Sequence, residues 1–327
     1  MYLDFFGLTE KPFNTTPDPR FLYATPRHQE ALARLTYAVQ ENKGFVALTG
    51  EIGTGKTTLL RALLRQLDPE TAVAFVVNST LPFEGLLEYV LADLGVPQPG
   101  ATLAQRLIAL NRFLIERRRS GRQTLLIVDE AQDLSSETLE EIRLLSNCET
   151  AGDKLLQILL VGQPEFEAKL NLPQLRQLKQ RIELHVRITP LSPAETGDYI
   201  KTRLRVAGAA DVNVFVANAP ALIAAATGGV PRLINILCDH CLLIAYADQK
   251  RRIGGEVVQE ALDSLQMVTR RPANVPKALP TRARFRNRRV AVTIVAALSA
   301  WLALVVELPD YARLSAILRT MRHFLTP

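Results

Sequence analysis

The chain has 327 residues, 48% of them hydrophobic, with three cysteines and a net charge of +6. That length and apolar content suit a full α/β core with a smaller second domain and exclude a disulfide framework, because three thiols cannot staple so long a chain. The charge does not define a nucleic-acid binder: eight basic residues and no acid fall between Arg270 and Arg289, which leaves the rest of the chain at −2, the difference between +6 and +8.

Met1-Tyr2-Leu3-Asp4 lacks the basic start and apolar stretch of a signal peptide, so this end is expected to stay in the cytoplasm. Short apolar runs rich in β-branched residues then recur between amphipathic stretches, at Phe45 to Thr49, Val73 to Asn78, Thr124 to Asp129, Leu155 to Val161 and Leu184 to Ile188. Strands alternating with helical patterns predict a parallel sheet covered on both faces. After Pro190 the periodicity turns helical, with helices expected over Glu195 to Ala207, Ala219 to Ala226, Arg232 to Ala247 and Gly255 to Met267, a small all-helical domain. Cys238 and Cys241 have C-x-x-C spacing but sit within that helical pattern, where free cysteine packs as a small hydrophobe.

From Arg270 to Pro280 the chain is polar and dotted with proline, which reads as a linker. Val290 to Val306 is apolar apart from Thr293 and Ser299, and its 17 residues reach the lower limit for a membrane-spanning helix. Five arginines from Arg282 to Arg289 abut its N-terminal end. The positive-inside rule therefore puts the globular body in the cytoplasm. The alternative is a buried or bundle helix. Beyond it, Leu314, Ile317, Leu318, Met321, Phe324 and Leu325 share one helical side, the face of an amphipathic tail. The expected organisation is an N-terminal segment over 1–30, an α/β core over 31–190, a helical lid over 191–268, a basic linker over 269–289, a transmembrane helix over 290–308 and a tail over 309–327.

The chemistry is concentrated in a few motifs. Gly50-Glu51-Ile52-Gly53-Thr54-Gly55-Lys56-Thr57, followed by Thr58, fits G-x-x-x-x-G-K-[ST] between a strand-like and a helical run. Its glycines let backbone N–H groups converge on phosphates at a helix N-terminus. Lys56 is expected on the β and γ phosphates of ATP and Thr57 on Mg²⁺. Leu125-Leu126-Ile127-Val128-Asp129-Glu130 is an apolar strand ending in two acids, with Asp129 suited to the Mg²⁺ shell and Glu130 to the attacking water; the alternative is an acidic helix cap. Gln163 follows a strand and is a candidate sensor of the γ-phosphate. Arg181, before the last strand, is the candidate arginine finger, with Arg176 as its rival. Arg232 opens a helix of the second domain and is a candidate sensor from the lid. An ABC-type signature is missing before the second acidic strand, and the acidic Asp129-Glu130-Ala131-Gln132 run has no second α/β core downstream to complete a helicase. The helical domain after the sheet selects the AAA+ class, and a finger acting on a neighbouring subunit makes a homo-oligomer the expected active species.

Met1-Tyr2-Leu3, Phe5-Phe6-Gly7-Leu8, Lys11-Pro12-Phe13 and Pro17-Asp18-Pro19-Arg20-Phe21-Leu22-Tyr23 precede the P-loop with its Thr58-Leu59, and Gly162-Gln163-Pro164-Glu165 and Gly229-Val230-Pro231-Arg232 follow it. Together these strings resemble the ExeA-type ATPases over residues 1 to 268. The resemblance implies a bacterial inner-membrane, single-pass AAA+ ATPase with an inner-membrane partner, helping to build an envelope assembly such as a secretin or a polysaccharide exporter. It also implies that the Phe13 region and the lid contribute to the nucleotide pocket. Secretion members of the family continue into a peptidoglycan-binding domain, whereas about 20 residues follow the apolar run here, so the resemblance does not carry peptidoglycan binding over to them. A DNA-associated role is the alternative, since transposition ATPases are similar across the same motifs. The slightly acidic body disfavours it, because DNA binding needs phosphate-neutralising charge.

Overall fold

The structure, a computed structural model, describes residues 2–265 apart from 17, 22, 78–80, 98–101, 147–148 and 151–152. The expected linker, membrane helix and tail lie outside the described residues. Among the described residues no helix is long and apolar enough to cross a membrane.

Helix α1 (Tyr2–Phe6) and a 3-10 turn (Pro19–Phe21) lead to α2 (Pro26–Gln40). The Thr25 hydroxyl caps α2 by accepting from the His28 N–H at 3.2 Å, and Pro26 occupies the first turn, where a missing N–H costs nothing. The chain continues through β1 (Phe45–Gly50), α3 (Lys56–Gln66), β2 (Ala72–Val76), α4 (Phe83–Asp93), α5 (Leu103–Arg119) and β3 (Thr124–Val128). Helix α6 (Ser136–Leu145) precedes a short antiparallel pair, β4 (Glu149–Thr150) and β5 (Asp153–Lys154). Then come β6 (Gln157–Gly162), α7 (Pro164–Leu170), α8 (Arg176–Arg181) and β7 (Ile182–Ile188). The five long strands form one parallel sheet in the order β2-β3-β6-β1-β7.

Alternation along the strands divides the core in two. Ala47, Leu126, Val128, Ile158 and Leu160 face α4, α5 and α6, whereas Val46, Leu48, Leu125, Ile127 and Leu159 face α2 and α3. On β1, β3 and β6 both faces are buried, which is why they read as apolar runs, whereas the edge strand β7 alternates and exposes Glu183, His185 and Arg187. The sheet strand expected from Leu155 begins at Gln157; Leu155 and Leu156 are buried against the core without pairing.

After β7 the chain is helical: α9 (Pro193–Val206), α10 (Ala219–Thr227), α11 (Pro231–Ala247) and α12 (Gly255–Ser264). Leu204, Ile223, Leu237, Cys238 and Val257 form their common core, and Tyr2, Phe6, Leu8, Phe13 and Phe21 of the N-terminal segment complete it. That segment is held to the lid by polar bonds as well. Tyr2 donates to Asp239 Oδ1 at 2.6 Å, the Thr9 N–H to the Ala207 carbonyl at 2.8 Å, and Arg251 to the Phe5 carbonyl at 2.6 Å. Cys238 and Cys241 are buried in the lid core, and burial pushes both thiols above their ordinary range.

Candidate functional site

Parallel pairing fixes the site. Val128 is opposite Leu160, and Val161 is opposite Leu48, so the ends of β3, β6 and β1 lie side by side. Adjacent strands are about 4.8 Å apart, and the residues that follow them, Asp129-Glu130, Gln163 and Glu51, are therefore neighbours at the C-terminal edge of the sheet. This is where open α/β sheets bind ligands.

The P-loop curls over that edge into α3. Gly53 has φ +81°, and a Cβ there would lie 2.6 Å from Arg232 Cβ, so both the turn and the approach of the lid require glycine. Lys56 is only 7% exposed, and its ammonium donates to the Gly50 and Glu51 carbonyls at 2.8 and 3.1 Å. Burial lowers its pKa, against the opposing pull of Glu130 and Asp129. Asp129 is 8% exposed and its Oδ1 accepts from the Glu130 N–H at 2.9 Å. Burial, with the charge of Glu130, raises the Asp129 pKa. Glu130 has φ +51°, a left-handed conformation that a side chain adopts only where it is held. Its Oε2 accepts from Gln132 Nε2 at 2.9 Å and from Gln163 Nε2 at 3.1 Å. Burial works against its charge, but these two donors and Lys56 outweigh it and hold the carboxyl below its ordinary range.

A cavity of about 330 Å³ opens from the P-loop, lined by Gly53 to Thr58 and Glu130 on one side and by the lid and N-terminal segment on the other. From the lid come Tyr199, Arg203, Arg232 and Asn235, and from the N-terminal segment Asn14, Phe21 and Tyr23. Arg203 is 6% exposed and organises this half. It donates to the Pro12 carbonyl at 2.5 Å, the Asn14 carbonyl at 3.1 Å and the Tyr199 hydroxyl at 2.8 Å, and lies 4.7 Å over the Phe21 ring. The Tyr199 hydroxyl passes the chain on to Asn235 Oδ1 at 2.8 Å. His28 of α2 also lines the cavity, buried beside Thr25.

The lid is docked on the P-loop directly: the Arg232 N–H donates to the Gly53 carbonyl at 3.2 Å. Gly229, at φ +75°, makes the approach possible, since a Cβ there would stand 1.9 Å from the Leu191 carbonyl oxygen. Ile52 and Arg232 also line an adjoining cavity of about 560 Å³, together with Glu51, Gln163 and Glu165.

The structure thus gathers most of the residues that sequence reasoning singles out. Gly53, Thr54, Gly55, Lys56, Thr57, Thr58, Glu130 and Arg232 share one cavity, Gln163 lies in the next and is bonded to Glu130, and Asp129 is buried behind Glu130. Arg181 is elsewhere. It precedes Ile182, which pairs with Phe45 at the start of β1, so it lies at the opposite edge of the sheet, donating to Ser146 Oγ at 2.6 Å. Arg176 opens the same short helix. Sequence reasoning missed Gln132, Tyr199, Arg203 and Asn235 as parts of the site. The nearest signal is the acidic run ending in Gln132, which resembles a helicase motif.

A buried P-loop lysine beside two acids, at the C-terminal edge of a parallel sheet and under a helical lid, defines a nucleotide-binding protein of the AAA type. Residues 39–170 match the AAA domain family. Over 254 residues, 77% of this chain, the sequence is 43% identical to general secretion pathway protein A of Aeromonas hydrophila, so the resemblance to the ExeA-type ATPases holds. The chain spans 46%, about half, of that relative's length. Among solved structures it is similar to CDC6P from Pyrobaculum aerophilum, with a TM-score of 0.58 and 19% identity over 75% of this chain and 70% of the other. It is also similar to the Aeropyrum pernix ORC2 protein, with a TM-score of 0.57 and 16% identity over 78% and 72%. At such identities these two matches establish the fold alone.

Proposed function

We propose that this protein is a membrane-anchored AAA+ ATPase that couples ATP hydrolysis to the assembly of a secretion or related cell-envelope apparatus, a secretin or a polysaccharide exporter. The observation that carries the reading is the single cavity in which the P-loop, Glu130 and lid Arg232 converge. ATP enters with its phosphates over Gly53 to Thr58, where Lys56 exchanges two neutral carbonyl partners for charged phosphate oxygens, a stronger bond. Glu130 orients the attacking water and takes its proton, Gln163 senses the γ-phosphate beside it, and Arg232 brings the lid onto the phosphates.

The Thr57 hydroxyl and the Asp129 carboxylate are hard oxygen donors of the kind Mg²⁺ takes, and a buried carboxylate whose charge is disfavoured fits a divalent cation. When bound, that ion neutralises charge on the phosphates. Arg181 is separated from its own P-loop by the length of β1, six residues or about 20 Å. That separation supports a finger acting on the neighbouring copy in a homo-oligomer. The expected transmembrane helix over 290–308, with its apolar run Val290 to Val306, supplies the single-pass anchor in the bacterial inner membrane, with the ATPase domain cytoplasmic and an inner-membrane partner protein. General secretion pathway protein A lends its name to the secretion role and no more than that.

Two experiments test the reading. Purified full-length protein should hydrolyse ATP in the presence of Mg²⁺, and Lys56→Ala should lose ATP binding; a chain that neither binds nor hydrolyses ATP contradicts the proposal. The full-length protein should also sediment with membranes through a salt wash and need detergent for release, because salt screens a merely basic attachment within a Debye length. Release by high salt alone contradicts the anchor.

A further inference from the structure

Glu130 is held by more than its own backbone. Gln132, in the turn Ala131–Asp133, uses both ends of its side-chain amide: Nε2 donates to Glu130 Oε2 at 2.9 Å, and Oε1 accepts from the Gln163 backbone N–H at 3.1 Å. Gln163 closes the ring with its own Nε2 on the same Glu130 oxygen at 3.1 Å. The second hydrogen of the Gln132 amide reaches Asp133 Oδ2 at 3.3 Å.

The orientation of this amide is fixed by its surroundings. A flip would set its oxygen against two carboxylates and its nitrogen against an N–H, unfavourable at every contact. The main chain is fixed too, because Lys169 of α7 donates to the Gln132 carbonyl at 2.8 Å. Gly162 leaves the room: a Cβ there would lie 3.2 Å from Gln132 Oε1. One side chain therefore ties the end of β3 to the end of β6 with both of its polar atoms engaged.

We infer that Gln132 is a positioning residue that couples Glu130 to Gln163, so that the group acting on water and the group facing the γ-phosphate are set as one unit. The inference rests on the hydrolase reading above. Glu130 stands in a backbone conformation that does not hold itself, and its carboxylate shares one oxygen between two amides. When a γ-phosphate draws the Gln163 amide away, its departure frees one lone pair of the carboxylate for the water, and Gln132 keeps the carboxylate aimed. Without Gln132, the Gln163 backbone loses its acceptor and Glu130 loses the donor that remains.

The test uses full-length protein and Mg-ATP. Gln132→Met keeps length and packing but has neither hydrogen bond; Gln132→Glu keeps the acceptor and sets a like charge against Glu130. Both should lower kcat by about 10- to 100-fold, the scale of a misplaced catalytic group, with the ATP dissociation constant unchanged. Adding Gln163→Ala to Gln132→Met should cost no more than the worse single change, as expected for coupled residues. Normal kcat in Gln132→Met beside an active wild type, losses that multiply, or weakened ATP binding that accounts for the lost rate each overturn this inference alone. A wild-type chain without hydrolysis overturns the hydrolase reading and this inference with it.

Discussion

On the sheet side, the P-loop and Glu130, which line the cavity, and Gln163, which lines the adjoining one, stand at the ends of three adjacent strands, and backbone pairing sets their spacing. On the lid side, Asn14, Phe21, Tyr199, Arg203 and Asn235 are drawn together from positions as much as 221 residues apart, and side-chain bonds hold them. The first arrangement keeps the candidate reacting groups at fixed distances, as the proposed chemistry on a phosphate needs. The second joins two segments distant in the sequence, the N-terminal segment and the lid, into one wall of the cavity. Changes at Glu130 and Gln163 are therefore expected in turnover, changes at the P-loop lysine in binding, and changes on the lid side in binding and stability.

The largest effect is predicted for a residue on neither side. Arg181→Ala should lower turnover by about 10³-fold or more, as measured for fingers elsewhere, and mixing it with Glu130→Gln should restore activity through hybrid oligomers. Failure of every mixing ratio despite co-assembly assigns Arg181 to a structural role with Ser146. On the lid side, Arg203→Ala leaves the Pro12 and Asn14 carbonyls without their charged donor. Bonds of this kind are worth about 1.5–3 kcal/mol each, so the melting temperature should drop and amide exchange should quicken over residues 2–16. Unchanged exchange there separates the N-terminal segment from the lid.

Where the two sides meet, Gly229→Ala should be destabilising by about 1–3 kcal/mol, since it adds strain at positive φ and a clash with Leu191. Thermal unfolding reads it, together with weaker ATP binding as the lid leaves Gly53. The smallest effect concerns pH. Burial pushes the His28 pKa below its ordinary value. The unfolded chain therefore takes up a proton that the folded one refuses, and stability should fall as pH drops below about 6.5. His28→Gln should flatten part of that slope, and an unaltered slope removes His28 from the account.

The same contrast governs what the sequence makes legible. Gly50 to Thr57 and Asp129-Glu130 are contiguous, because a phosphate is met by successive backbone N–H groups and a strand end, and such sites keep a local pattern. The parallel sheet and the helices after Pro190 are legible for a similar reason, each being a periodicity within a dozen residues. Arg203 carries no such signal: in α9 it reads as one more helix arginine, and its partners Pro12, Asn14 and Phe21 lie nearly the whole domain away. Gln132 reads only as the end of a helicase-like acidic run until β3 and β6 are paired. The strands Glu149–Thr150 and Asp153–Lys154 are too short for any alternation to show.

The division of labour is tested most directly by measuring ATP affinity and saturated turnover in two variants of the full-length protein, Glu130→Gln on the sheet side and Phe21→Leu on the lid side. Glu130→Gln should bind ATP as the wild type does and lose turnover by about 10²- to 10⁴-fold, the usual contribution of a positioned base. Phe21→Leu should bind more weakly and, once saturated, turn over at nearly the normal rate. Normal hydrolysis by Glu130→Gln, or a Phe21→Leu protein that binds ATP normally and fails in turnover, would contradict the account.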